Sequence, residues 1–135
     1  MPYLGRKHQS TVLMHYADET DTEARNDLAN LFLTRNLSFA DHGGSSAIVM
    51  PQNWLFLTSY KKHRTRLLKE RTWNIIGRLG PKGFQTPMWD FNIGLITISS
   101  NRPTNDHLMA GVDVSTAGRP KQKAALLRGE LLSTD

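Results

Sequence analysis

The chain has 135 residues, of which 39% are hydrophobic and 21% charged, and this composition is typical of a single globular domain rather than of a disordered segment. The absence of cysteine excludes disulfides, thiolate metal sites and cysteine nucleophiles. No apolar run approaches the ~20 residues needed to cross a bilayer, so we expect no membrane partner, and the cytoplasm is the simplest compartment. A formal net charge of +5 favours polyanions as partners without requiring them.

The first third of the chain predicts two helices. A short helix is expected over residues 6–17, with Val12, Leu13 and Tyr16 near one face, followed by the polar connector "ADETDTE". Residues 26–40 have helical periodicity with two adjacent apolar stripes, which predicts a helix buried over most of its circumference. The stripes are Leu28, Leu31, Phe32 and Phe39, and Ala29, Leu33, Leu37 and Ala40. The segment "DHGG" then ends the helix, since Gly43 or Gly44 can adopt the left-handed conformation.

The remaining elements predict an α/β fold. Residues 47–50 form an unbroken apolar run that is typical of a central parallel strand covered on both faces. A helix is expected over residues 59–71 and strands over 73–79 and 91–99. The segment "GVDVS" predicts a short strand, and residues 121–132 predict a helix that starts just after Pro120. This order indicates a sheet with crossovers, but the strands are too few for a complete doubly wound sheet.

Neither a metal site nor a cofactor fingerprint is predicted. The five histidines never stand three or four residues apart, so they are interpreted as exposed or hydrogen-bonded side chains. The acidic residues 18–23 are interpreted as a solvated connector. The glycines of "GRLGPKG" lack the order of strand, glycine loop and helix that a dinucleotide site requires.

The segment "KKHRTRLLKER" at residues 61–71 contains six Lys or Arg residues. On a helix, Tyr60, Leu67 and Leu68 would face the sheet and the cations would point outward. A solvated outer face is the default interpretation, and contacts to phosphates are the sharper one. The candidate DNA-backbone residues are Lys61, Lys62, Arg64 and Lys82. Aromatic side chains near Pro or Gly could stack on a base: Tyr3, Trp54, Phe84 and Trp89.

Taken in order, the segments resemble the adenine-N6 DNA methyltransferases that use S-adenosylmethionine, in particular those of phage-exclusion (BREX-type) and fused restriction-modification systems. Their catalytic motif reads Asn-Pro-Pro-Tyr, and "MPYLGRKHQ" keeps Pro2, Tyr3, Leu4 and Gly5, with Met1 in place of the first proline. The run from "NDLANLFL" to "HRTRLL", including "Q-x-W-x-F", is similar to the segment that follows that motif. "IIGRLGPKGF" with "FNIGLITIS" is similar to the last strand pair of the family, and the resemblance is strongest over residues 26–100.

This resemblance implies roles for three residues. The target adenine is flipped out of the duplex so that its amine can reach the methyl donor. Tyr3 would stack on the flipped base, Pro2 would form part of the clamp on the amine, and Phe84 would be the aromatic residue of the strand-pair loop. The implied fold is a partial Rossmann-like methyltransferase sheet that lacks its N-terminal half. Residues 1–103 would belong to the catalytic domain, and residues 104–135 would form a tail.

The catalytic Asn and the donor-binding loop of the family find no counterpart in the sequence, so S-adenosylmethionine is implied by the family alone and the chain by itself is expected to be inactive. The implied partners are double-stranded DNA and either the missing N-terminal half or another defence-system subunit. A complementing subunit of a split methyltransferase is a second interpretation. A small non-catalytic DNA-binding module that uses the basic helix is a third. An unpaired edge of strand 46–50 would favour association with another chain.

Overall fold

The computed structural model describes residues 3–40, 42–85 and 91–130. Its helices are α1 (Thr11–Thr20), α2 (Leu28–Phe39), α3 (Lys61–Glu70) and α4 (Pro120–Leu127), and its strands are β1 (Ser45–Pro51), β2 (Thr72–Gly80), β3 (Ile93–Ser99) and β4 (Ala110–Asp113). The order of helices and strands predicted from the sequence is confirmed. Across these ranges, no helix combines the length and the apolar character that crossing a membrane requires.

The strands form one sheet in the order β1-β3-β2-β4. Strand β3 is antiparallel to both β1 and β2, so β1 and β2 run in the same direction and α3 connects them as a crossover. Strand β4 pairs in parallel with β2. The prediction that residues 47–50 form a central parallel strand is wrong for the described sheet. Strand β1 lies at its edge and pairs only with an antiparallel neighbour, because β3 is inserted between the two parallel strands.

One face of the sheet carries the main hydrophobic core. Helices α2 and α3 and the turn after β1 cover this face. Burying one large apolar side chain in this core contributes about 1.5–3 kcal/mol to the stability of the fold. The largest buried members of this cluster are Leu33, Leu37, Met50, Trp54, Tyr60, Leu67, Trp73, Ile96 and Ile98. Alternate residues of β1 and β3 enter the core, as expected from the two-residue period of a strand.

The sequence-based prediction for the faces of α1 and α2 is partly wrong. In α2, the stripe containing Leu33 enters the core, but Phe32 and Phe39 of the other stripe are exposed. In α1, Leu13 packs in a small cluster against α2, whereas Val12 is 81% exposed. Periodicity identifies an apolar stripe, but it does not show whether a neighbouring element covers the whole stripe.

The opposite face of the sheet is open. Val49, Leu95, Gly77 and Val112 follow one another across the four strands in register, and they line a shallow groove of about 350 Å³ with Ile75 and Leu127 among others. Val49, Ile75 and Val112 are each substantially exposed. The described part of the chain therefore leaves an apolar surface on the side of the sheet that faces away from α2.

The segment after β3 is joined to the sheet through β4 and α4. Lys123 of α4 is buried, and its Nζ donates to the carbonyl oxygens of Leu79 at 2.6 Å and Val114 at 3.1 Å. Burial lowers the pKa of Lys123 from its usual value, and nearby Asp113 partly opposes this shift. These bonds fix α4 against the ends of β2 and β4.

Candidate functional site: an aromatic cluster and a basic helix

Tyr3 lies at the end of the sheet where β3 begins. Its ring contacts the ring of Phe91 edge to face, with the centroids 5.7 Å apart and the planes at 62°. Tyr3 is 45% exposed and Phe91 is 40% exposed, so both rings keep accessible surface for another planar group. Pro2, the predicted part of the amine clamp, lies outside the described residues.

The backbone after Tyr3 is held against the start of α2. The amide of Leu28 donates to the carbonyl of Leu4 at 3.0 Å, and the amide of Arg6 donates to the carbonyl of Asn26 at 2.9 Å. These two bonds form an antiparallel bridge between Gly5 and Asp27. Tyr3 therefore stands two residues before a point of attachment and is not the end of a free segment.

Asp27 is the centre of this attachment, and sequence reasoning did not single it out. Its Oδ1 accepts from the amide of Asn30 at 2.9 Å, which is the N-cap interaction of α2. Its Oδ2 accepts from the Asn30 side chain at 2.9 Å and from the hydroxyl of Tyr60. Burial and the neighbouring Asp27 carboxylate raise the pKa of Tyr60, so the phenol remains a donor at neutral pH. The sequence signal that could have identified Asp27 as a helix cap is an Asp directly before an apolar helix.

Phe84 and Lys82 lie in the turn after β2. Lys82 adopts a left-handed backbone conformation with φ 57°, and Gly83 packs closely on Leu79 and Ile93. The chain therefore turns back over the start of β3, and Phe84, 39% exposed, follows at once. Phe84 and Tyr3 thus belong to the same end of the β2–β3 pair. Trp89, another predicted aromatic candidate, lies outside the described residues.

The basic helix α3 differs from its prediction in two arginines and one leucine. Arg64 is half-buried, and its guanidinium donates to the carbonyl oxygen of Leu57 at 2.7 Å and to that of Trp54, so it is bound to the protein. Arg66 is also bound within the protein. Leu68, predicted to face the sheet, is exposed. The outward orientation predicted for the cations holds for Lys61 and Lys62.

Arg66 binds two carboxylates of the connector that follows α1. It donates to Asp21 at 2.6 Å and to Glu23 at 2.7 Å, and it lies 3.4 Å from Nδ1 of His63. Burial alone would raise the pKa of Asp21, but hydrogen bonds from Arg66 and Thr34 outweigh it and hold that pKa below its usual value. The acidic connector, interpreted as solvated, is therefore tied to α3 through Arg66.

Asp21, Glu23 and His63 also present oxygen and nitrogen atoms within 4.8 Å of one another, which is a spacing that could hold a metal ion. The guanidinium of Arg66 already supplies the positive charge there. His63 is completely buried, and burial lowers its pKa to about 4, so it is neutral at pH 7. Sequence reasoning missed this grouping because His63 lies at least 40 residues beyond the two carboxylates in the chain.

Comparisons with known proteins reveal similarity to methyltransferases. No protein-family model matches the chain. An adenine-specific methyltransferase, BrxX, from Escherichia coli O9:H4 (strain HS) is 31% identical over 83 residues, which cover 62% of this chain and 7% of that protein. The chain thus spans a small part of the curated relative that it matches. The sequence-based resemblance to adenine methyltransferases is confirmed for that segment.

Two solved structures share the fold at low identity. A class I S-adenosylmethionine-dependent methyltransferase from Listeria monocytogenes superposes with a TM-score of 0.53 at 14% identity, covering 76% of this chain and 32% of that one. A modification subunit of a type I restriction enzyme from Vibrio vulnificus YJ016 gives 0.52 at 18% identity, with 84% and 28% covered. The predicted fold class is confirmed: the described elements share the α/β fold of a part of each of these two proteins.

Proposed function

We propose that this chain is a segment of an adenine-N6 DNA methyltransferase and forms one side of the pocket for the flipped adenine. The observation that carries the proposal is the contact between Tyr3 and Phe91 at 5.7 Å. It joins the Pro-Tyr segment to the end of the β2–β3 pair, which is where the family resemblance locates the second aromatic residue of the pocket. The similarity to a segment of BrxX supports adenine as the target.

The chemistry requires flat apolar surfaces at this position. A base inside a duplex is out of reach of a methyl donor, so the enzyme must extrude it and hold its faces. Stacking of a base on an aromatic side chain contributes about 1–3 kcal/mol. Tyr3 would supply the stacking ring, Phe84 would close the pocket from the turn after β2, and the carbonyl of Pro2 would accept a hydrogen bond from the target amine.

The methyl donor in this proposal is S-adenosylmethionine, the cofactor of the class I fold that the described sheet shares. Among the described residues, the candidate glycines Gly77 and Gly80 lie in β2 and at its end and do not form a loop that opens a helix. We therefore infer that other parts of the whole methyltransferase bind the donor, and that this chain alone does not methylate DNA.

The test uses Tyr3 in a reconstituted enzyme. The chain is co-expressed with the part of an adenine-specific methyltransferase that precedes the matching segment and ends in Asn-Pro, and N6-methyladenine in DNA is quantified by mass spectrometry. We expect methylation with both parts only. Tyr3→Ala should lower the methylation rate about tenfold to a hundredfold, which is the factor that corresponds to the loss of the stacking energy. Tyr3→Phe should retain most of the wild-type rate, because it keeps the ring.

Tyr16→Ala is the matched control, because Tyr16 is 43% exposed on α1 and has no place in the proposed pocket. If a complex forms but methylation stays absent, or if Tyr3→Ala is no worse than Tyr16→Ala, the pocket assignment is wrong.

The alternative of a non-catalytic DNA-binding module depends on the basic helix. Two of its arginines, Arg64 and Arg66, are bound to protein groups, so fewer cations remain for DNA than the sequence suggests. A role as complementing subunit of a split methyltransferase would give the same result as our proposal in reconstitution. A module would bind DNA but gain no methylation from the second part.

A further inference from the structure

Helix α3 presents a row of lysines to solvent. Lys61, Lys62 and Lys69 are exposed and line a groove of about 540 Å³ along the helix. An α-helix rises 1.5 Å per residue, so Lys62 and Lys69 stand about 10 Å apart along its axis. A strand of duplex DNA carries one phosphate per about 3.4 Å of axis, so this row spans about three phosphates of one strand.

The arginines of the same helix bind acceptor groups of the protein itself, and this leaves the lysines available to bind another molecule. Arg64 and Arg66 are turned toward carbonyl oxygens and carboxylates of the protein, and they hold the helix in place. None of the ion pairs found among the described residues involves Lys61, Lys62 or Lys69.

Two acidic residues also border the groove. Glu23 is paired with Arg66, so its charge is compensated, and Glu70 lies at the C-terminal end of the helix. The three lysines therefore outweigh the acidic charge that remains on this face.

The lysine row is connected to the aromatic cluster through Asp27. Tyr60 directly precedes α3, and its hydroxyl donates to Asp27. Asp27 in turn pairs with Gly5, two residues after Tyr3. The N-terminal end of the lysine row thus reaches the carboxylate of Asp27, and the segment that carries Tyr3 is held by backbone bonds to its two neighbours, Asn26 and Leu28.

We propose that Lys61, Lys62 and Lys69 contact the phosphates of the duplex whose adenine enters the pocket at Tyr3. This inference rests on the proposed function for the choice of duplex DNA as the partner. Lys69 was not among the candidates from the sequence, and it takes the place of Arg64, which is bound to Leu57.

The test measures salt dependence of binding by the full chain. A fluorescent duplex is titrated at several salt concentrations with the wild type and with K61Q/K62Q/K69Q. Each lost phosphate contact should lower the slope of log K against log salt by about 0.9, so we expect a decrease of about 2–3. The matched control is R102Q/R119Q/K121Q, which removes the same charge from three exposed residues outside α3.

The outcomes separate this inference from the proposed function. A loss of slope in the α3 variant but not in the control supports the phosphate surface, even if Tyr3→Ala leaves methylation unchanged in the reconstituted enzyme. Equal losses in both variants, or no binding of the wild type to duplex DNA, would overturn it. Circular dichroism should be the same for all three proteins, since the substituted side chains are exposed.

Discussion

At the residue scale, Asp27 connects the most distant parts of the site. Its carboxylate caps α2 through Asn30 and accepts from Tyr60 at the start of α3, while its backbone pairs with Gly5. A buried carboxylate with several donors is costly to remove, because each donor left unsatisfied costs about 1–3 kcal/mol. Asp27 therefore stabilises the contact between the segment that carries Tyr3 and the starts of α2 and α3.

His63 makes a pH dependence predictable. Its pKa is about 4 in the folded chain, because burial disfavours the imidazolium, against about 6.5 when unfolded. The unfolded state thus binds more protons, and stability is lost as the pH falls from about 6.5 toward 4. We expect the free energy of unfolding to fall by at most about 1.4 kcal/mol per pH unit in this range, measured by urea unfolding.

His63→Gln should flatten this dependence, although it will also change the stability at pH 7. His15→Gln is the control, because His15 is exposed on α1 and pairs there with Glu19, which is exposed as well. A pH profile in His63→Gln identical to that of the wild type would show that other groups cause the dependence.

At the element scale, α3 is anchored at both its start and its middle. Tyr60 reaches Asp27, and Arg66 reaches Asp21 and Glu23. Since Asp21 and Glu23 belong to the connector after α1 and Asp27 caps α2, these bonds join α3 to the end of α1 and to the start of α2.

We expect Arg66→Met to destabilise the chain by about 1–3 kcal/mol, because it leaves the buried carboxylate of Asp21 without its charged partner. The estimate is below that for a fully buried pair because the Arg66 side chain is 31% exposed. The measurement is urea unfolding at pH 7. Lys62→Met on the same helix is the control and should change stability by less than about 0.5 kcal/mol.

The destabilisation caused by Arg66→Met should also depend on pH, because Asp21 is ionisable. Although burial would raise the pKa of Asp21, the hydrogen bond from Arg66 helps to hold it below its usual value. The stabilisation that the ionised Asp21 provides is therefore fully present above the pKa of Asp21 in the unfolded chain, and it is lost as the pH falls through the lower pKa of Asp21 in the folded chain. The difference between Arg66→Met and the wild type should therefore shrink below about pH 4. A difference that is constant with pH would mean that packing of the arginine stem, and not its charge, stabilises this contact.

At the scale of the whole molecule, the open face of the sheet and the edge of β1 are adjacent. Val49 and Leu95 are apolar residues on that face, and the outer edge of β1 pairs with no other strand among the described residues. Unpaired strand edges flanked by apolar side chains favour pairing with another chain. We expect the isolated chain to self-associate as its concentration rises, as measured by sedimentation velocity.

Val49→Lys should shift the chain toward the monomer, because it places a charge on the exposed edge strand. Val12→Lys is the matched control, since Val12 is an exposed valine on α1 far in sequence from the sheet. A wild type that is monodisperse and unfolds cooperatively at all concentrations would favour a self-contained module instead.

The order of the elements and their resemblance to a methyltransferase segment could be predicted from the amino-acid sequence alone. Periodicity located α2, β1, α3 and the β2–β3 pair, because it depends on which side chains of one element are apolar. The sequence allowed a left-handed conformation at Gly43 or Gly44, and Gly43 adopts it, since glycine pays no steric cost there, although the cap of α2 is Ala40 in an extended conformation. These are local properties, and residues near in sequence are sufficient to specify them.

The folded structure was needed to identify which elements are neighbours and which charges are paired. Strand β3 lies between β1 and β2, and no pattern within β1 distinguishes that antiparallel partner from a parallel one. Arg66 meets Asp21 from 45 residues away, whereas the sequence shows only a row of cations. Apolar patterns indicate that a side chain will be buried, but its partners depend on how distant segments pack, and that determines which cations of α3 remain free to bind another molecule.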